Sequence, residues 1–177
     1  FLTGGVTASS GSLNVTLGAN SQINANGSSA SGIVTTSSGS INATLGAGSQ
    51  INANGSYGTG IKAFLAGTTV TLGAGSQINA TGAFGRGIYS KYSSTTTLQN
   101  GAQINAAGIG FGTGYSSLNN IVLTLNPGSS IISTGGVGIV AGQGTDTLYI
   151  AGRVGGLTTA VNLRDGNDTL TLDTGAD

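Results

Sequence analysis

Apolar and polar positions alternate in short runs along this chain. Leu13, Val15 and Leu17 fall on one side with Asn14 and Thr16 on the other, and Ile61, Ala63 and Leu65 alternate in the same way with Lys62 and Phe64. A period of two with β-branched enrichment predicts strands, and nothing sustains the 3.6-residue spacing of a helix. The runs themselves recur. TLGANSQINA at Thr16–Ala25 returns as TLGAGSQINA at Thr44–Ala53 and Thr71–Ala80, as TLQNGAQINA at Thr97–Ala106, and more loosely as TLNPGSSIIS at Thr124–Ser133. Self-similarity at this period predicts stacked supersecondary units in place of one closed core.

Superposing the copies produces columns. Leu17, Leu45, Leu72, Leu98 and Leu125 form one, and Ile23, Ile51, Ile78, Ile104 and Ile131 form another. A third apolar position follows Gly32, Gly60, Gly87 and Gly114, at Ile33, Ile61, Ile88 and Tyr115. Gln22, Gln50, Gln77 and Gln103, beside Asn24, Asn52, Asn79 and Asn105, make polar columns that alternation turns away from the core. Glycines and the Asn-Gly steps at Asn26-Gly27, Asn54-Gly55 and Asn100-Gly101 mark corners where a positive φ is tolerated.

The expected fold is all-β: a right-handed parallel β-helix, or solenoid, of about six coils of roughly 27 residues, with three short strands per coil. It forms a single segment over residues 1–177. Regular Leu/Ile coils occupy residues 1–144 and variant coils of G-x-D-T-L type occupy 145–177. The chain starts and stops within the pattern and is expected to be a piece of a longer protein.

Composition narrows the chemistry. With 34 glycines and one proline the chain invites a disordered reading, but its aliphatic residues are regularly spaced instead of depleted. There is no His, Cys or Glu, and five basic residues balance five acidic ones. Neutrality argues against a nucleic-acid partner, which needs clustered cations. Lack of His and Cys removes the usual nucleophile–base pairs and thiolate metal sites, so no catalytic residue, metal or cofactor is expected. No apolar run is long enough for a membrane-spanning helix. The charge is uneven: residues 1–145 hold Lys62, Arg86 and Lys91 and no acid, while all five Asp lie beyond Thr145 with Arg153 and Arg164.

Coils of the form T-L-x-x-G-x-x-I-x-A-x-G-x-x-x-x-G-I, carried over residues 13–140, resemble the passenger domains of pertactin-like autotransporters of Gram-negative bacteria. GTDTLYIAG at Gly144–Gly152 and DGNDTLTLDTGAD at Asp165–Asp177 are similar to segments nearer the barrel of large autotransporters. The resemblance implies type V secretion, a cell-surface or extracellular location, and attachment to the outer membrane only through a C-terminal barrel that this sequence lacks. It implies an adhesin or display stalk contributing to virulence. The partner would be a host cell surface, an extracellular matrix protein or a second copy, and no small-molecule substrate is expected.

Two alternatives are weighed beside it. Ala141–Tyr149 nearly matches the calcium nonapeptide of repeats-in-toxin rolls, and Asp165–Thr171 matches its second half. A polysaccharide-degrading β-helix would need convergent acids, and only Asp165 and Asp168 beside Arg164 lie close in sequence. The most suggestive surface is in the middle coils, where aromatics and cations interleave: Tyr57, Lys62, Phe64, Phe84, Arg86, Tyr89, Lys91 and Tyr92 are the partner-binding candidates. Phe111, one residue later in its own coil than Tyr57 and Phe84, is expected to face outward with them.

Overall fold

The computed structural model describes residues 1–113 and 119–177. Every regular element among them is a strand, and every strand pair is parallel. The strands form three seven-stranded sheets. The first sheet takes Leu2–Thr3, Gln22–Ala25, Gln50–Ala53, Gln77–Ala80, Gln103–Ala106, Ser130–Ser133 and Arg153–Gly156. The second takes Val6–Ala8, Ser31–Thr35, Thr59–Ala63, Arg86–Ser90, Ile109–Thr113, Val137–Val140 and Thr159–Asn162. The third takes Leu13–Leu17, Ile41–Leu45, Thr68–Leu72, Ser94–Leu98, Ile121–Leu125, Thr147–Ile150 and Thr169–Leu172. Each circuit visits the sheets in the same order, so the molecule is a β-solenoid in which each interior strand pairs with those one coil before and after it and the outermost strands of each sheet pair on one side.

Register follows the repeat. Leu17, Leu45, Leu72, Leu98 and Leu125 are direct partners down the third sheet, and Ile23, Ile51, Ile78, Ile104 and Ile131 down the first. Both columns are essentially inaccessible to solvent except Leu17, which is half-buried. The Leu column continues through Ile150 to Leu172, and Leu172 at the last rung is exposed again. Burying one such side chain contributes about 1.5–3 kcal/mol, so the columns dominate the stability of the interior rungs.

The third apolar column differs from its expected course. Ile33, Ile61 and Ile88 are buried and in register, but the next partner is Phe111, followed by Ile139. Phe111 is fully buried, so its expected outward orientation is corrected. The cause is a short corner: eight residues separate Ala80 from Ile88 but only five separate their partners Ala106 and Phe111, so Gly110-Phe111 takes the place that the glycine-plus-apolar pattern gives to Gly114-Tyr115. Gly114 and Tyr115 lie outside the described residues. Leu65, read as inward, is 47% exposed because the strand ends at Ala63 and the alternation ends with it.

The corners have two kinds of glycine. Between third and first sheets, Gly48, Gly75, Gly101 and Gly128 occupy one column with φ of 66°, 66°, 74° and 75°, and Asn20 fills the same place at 57°. Asn is among the few residues with a side chain that tolerate this left-handed region. The buried Ser49, Ser76 and Ser129 then donate their hydroxyls to the turn carbonyls of Gly46, Gly73 and Asn126. Gly27 and Gly55, by contrast, have no positive φ. Gly55 is required by close stacking, since a Cβ there would sit 1.9 Å from the Gly27 oxygen. The Asn54-Gly55 step is therefore set by approach of one coil to the next, not by φ.

Candidate functional site

The outer faces are built from what alternation leaves outside. On the first sheet Asn52 Nδ2 donates to Asn24 Oδ1 at 2.7 Å, Asn79 to Asn52 at 2.9 Å and Asn105 to Asn79 at 3.0 Å. Gln22 Nε2 donates to Gln50 Oε1 at 2.9 Å. The amides thus satisfy one another along the stack, each such bond contributing about 0.5–1.5 kcal/mol. The ladder ends where Asn105 meets Ile132.

The second sheet carries the aromatic and cationic side chains. Tyr57 and Phe84 stand at equivalent corners of successive coils, their N–H groups donating to Ser28 and Ser56 carbonyls. Their rings stack with centroids 5.0 Å apart and planes 14° apart. Both remain more than half exposed, at 59% and 60%. Ring pairs of this geometry contribute about 0.5–1.5 kcal/mol beyond area burial.

Arg86 pairs in register with Thr59, and Tyr89 with Lys62, which sets two cations on neighbouring rungs of one face. The Arg86 guanidinium lies 4.8 Å from the Tyr89 ring centre, and the Lys62 ammonium 4.6 Å from that of Phe64. Tyr57, Thr59, Lys62, Phe84 and Arg86 together line a cleft of about 340 Å³. Burial, and after it the nearby Arg86 charge, push the Lys62 ammonium below its ordinary pKa. With no acid anywhere in residues 1–145, neither cation has a carboxylate to neutralise it there.

Of the candidates from the sequence, Tyr57, Lys62, Phe84 and Arg86 meet in this cleft, with Tyr89 beneath Arg86 and Phe64 beneath Lys62. Lys91 and Tyr92 are exposed beyond the end of the Arg86–Ser90 strand, at the corner leading to the third sheet, and do not line the cleft. Thr59 was missed as a lining residue, although its register with Arg86 could have been counted from the repeat.

The C-terminal aspartates do different work. Asp146 Oδ1 accepts the Ile121 N–H at 2.7 Å, and Asp168 Oδ1 accepts the Asp146 N–H at 3.0 Å, one coil to the next. The D-T-L motif is thus a side-chain cap at the start of third-sheet strands. Asp165 accepts a bond from Gln143, Asp173 from the Tyr149 hydroxyl, and Asp177 pairs with Arg153 at 3.4 Å. Among the described residues no three acidic or metal-ligating side chains gather as a cation cage. Among the described residues no helix is long and apolar enough to cross a membrane.

No protein-family model, curated protein or solved structure matches this chain.

Proposed function

We propose that this chain is a section of a surface-displayed, autotransporter-like passenger that acts as an adhesin or display stalk and does no catalysis. The solenoid is consistent with that reading: a rod of stacked coils carries a surface patch away from whatever anchors it. The observation that carries the binding role is the cleft at the first corner of the second sheet, where two exposed stacked rings adjoin Lys62 and Arg86. Rigid aromatic groups beside cations are the side chains that anchor interfaces at low entropic cost.

A non-catalytic role is supported by the chemistry of the acids. Asp146 is buried and caps a strand, while Asp165, Asp173 and Asp177 are engaged with Gln143, Tyr149 and Arg153. They are also remote in sequence from the cleft's cations, and no His or Cys exists to supply a base or nucleophile.

Adhesion of the purified chain to cultured epithelial cells and to immobilised matrix proteins tests the reading. The parent chain is expected to bind, and Tyr57→Ala combined with Arg86→Gln to lose about tenfold or more in affinity. Tyr89→Ala with Lys91→Ala is expected to lose less, because Lys91 lies outside the cleft. Binding left untouched by the Tyr57 and Arg86 changes would refute the assignment.

A further inference from the structure

Building on that adhesive reading, we infer that the cleft lined by Tyr57, Thr59, Lys62, Phe84 and Arg86 binds an acidic sugar, a carboxylate-bearing unit of a glycan chain. Two observations converge. The stacked Tyr57–Phe84 pair is a flat, rigid and exposed apolar wall, shared by two coils. The C–H face of a pyranose ring is the kind of rigid apolar surface that covers such a wall while its hydroxyls stay in water. Lys62 and Arg86 flank the wall with no counter-charge, and Arg86 offers a planar fork that matches a carboxylate. Thr59 also lines the cleft but is only 2% exposed, so the polar recognition falls to the two cations.

The same geometry argues against the other anionic partners. A peptide adding to a sheet would need free backbone edges. Here Thr59–Ala63 and Arg86–Ser90 both lie inside the second sheet, paired on either side. Recognition must therefore run through side chains alone. Nucleic acid would require a longer cationic track than residues 1–145 supply, with Lys62, Arg86 and Lys91 as their whole complement. The cleft of about 340 Å³ is at the small end of ligand sites, roughly 300–1,000 Å³, and suits one or two sugar units. A carboxylate bound beside Lys62 and Arg86 would offset one of their two charges and so reduce the repulsion between them, a gain available only to an anionic ligand.

The test is calorimetric titration of the whole chain with hyaluronan oligosaccharides, with the same oligosaccharides after reduction of their carboxylates to alcohols, and with sodium sulfate as a bare anion. Expected is saturable binding of the acidic oligosaccharide, weakened about tenfold or more by carboxyl reduction, by Phe84→Ala and by Arg86→Gln, with both variants still folded and melting within about 5 °C of the parent, the small loss being that of the ring stack or the cation–ring contact. Failure of the parent to bind the acidic oligosaccharide overturns the inference. So does binding that survives carboxyl reduction or the Phe84 change, and so does sulfate binding of equal strength, which would mark an adventitious anion only. Cell and matrix adhesion measured on the same preparations separates the two readings. Adhesion that requires Phe84 without acidic-sugar binding sinks the sugar assignment alone, whereas a parent chain that adheres to nothing sinks the adhesive role as well.

Discussion

Asp146 is fully buried, and its Oδ2 has no hydrogen-bond partner among the described residues. Burial is the main cause that raises its carboxyl pKa; the Ile121 N–H bond opposes the rise and the neighbouring Asp168 adds to it. Because the folded pKa is above the unfolded one, folding favours the protonated acid. That contribution is fully present below the ordinary carboxylate pKa and is lost as pH rises through the raised folded value. Asp146→Asn keeps an oxygen for the Ile121 N–H and has no charge to bury. The melting temperature of the parent is therefore expected to fall relative to Asp146→Asn as pH increases from about 3 to 7. Calorimetric melts of both chains across that range check it, and a difference independent of pH would show that the buried carboxyl is not what titrates. The aspartate was legible in the sequence as part of a recurring D-T-L phrase; its burial and its capping of a backbone N–H in the preceding coil were not, because the phrase is shared with exposed calcium-roll loops.

At the scale of the strand, what brings the first and second sheets into contact is the missing side chain before each second-sheet core residue. A Cβ at Gly32, Gly60, Gly87 or Gly110 would fall 2.2, 2.1, 2.1 or 2.5 Å from the Cγ2 of Ile51, Ile78, Ile104 or Ile131 in the coil that follows. The Gly-Ile step of the repeat is thus a packing requirement between sheets, and each of these glycines seats the isoleucine one coil away. Gly60→Ala, which would also bring a Cβ 2.6 Å from the Gly87 oxygen, is expected to destabilise the chain by about 1–3 kcal/mol in denaturant titration. Gly75→Asn supplies the contrast: its Cβ meets nothing within 4 Å, and Asn20 already holds the equivalent φ. It should shift the midpoint little. Equal losses in the two variants would mean that backbone conformation, not interior space, sets the glycine pattern.

Across the whole molecule stability is distributed by rung. Interior strands such as Gln50–Ala53 and Gln77–Ala80 pair on both sides, whereas Leu2–Thr3 and Thr169–Leu172 pair on one side only. The last coils also leave an apolar cleft of about 270 Å³ among Ile150, Val154, Val161, Leu170 and Leu172. In a stack held by nearest-neighbour interfaces, opening proceeds inward from the ends. Hydrogen exchange is expected to be slowest in Gln50–Ala53 and Gln77–Ala80 and about a hundredfold or more faster in Thr169–Leu172. Uniform protection along the chain would instead mean that all coils open as one unit.

The sequence by itself determined the strand class, the three-strand coil and the Leu and Ile columns. Those features repeat, and a repeat that pairs with itself must bring equivalent residues to the same height. It also singled out Tyr57, Lys62, Phe84 and Arg86, because aromatics and cations are scarce in so neutral a chain. Where coil length changed, constant spacing failed: the short corner after Ala106 turned Phe111 inward, and the end of the strand at Ala63 turned Leu65 outward. Only the tertiary structure decided which outward residues share a corner. Distances across coils depend on where each strand stops and the chain bends, and that is set by packing between coils that no single repeat contains. It is this packing that joins Tyr57 to Phe84 and leaves Lys91 on the far side of the face.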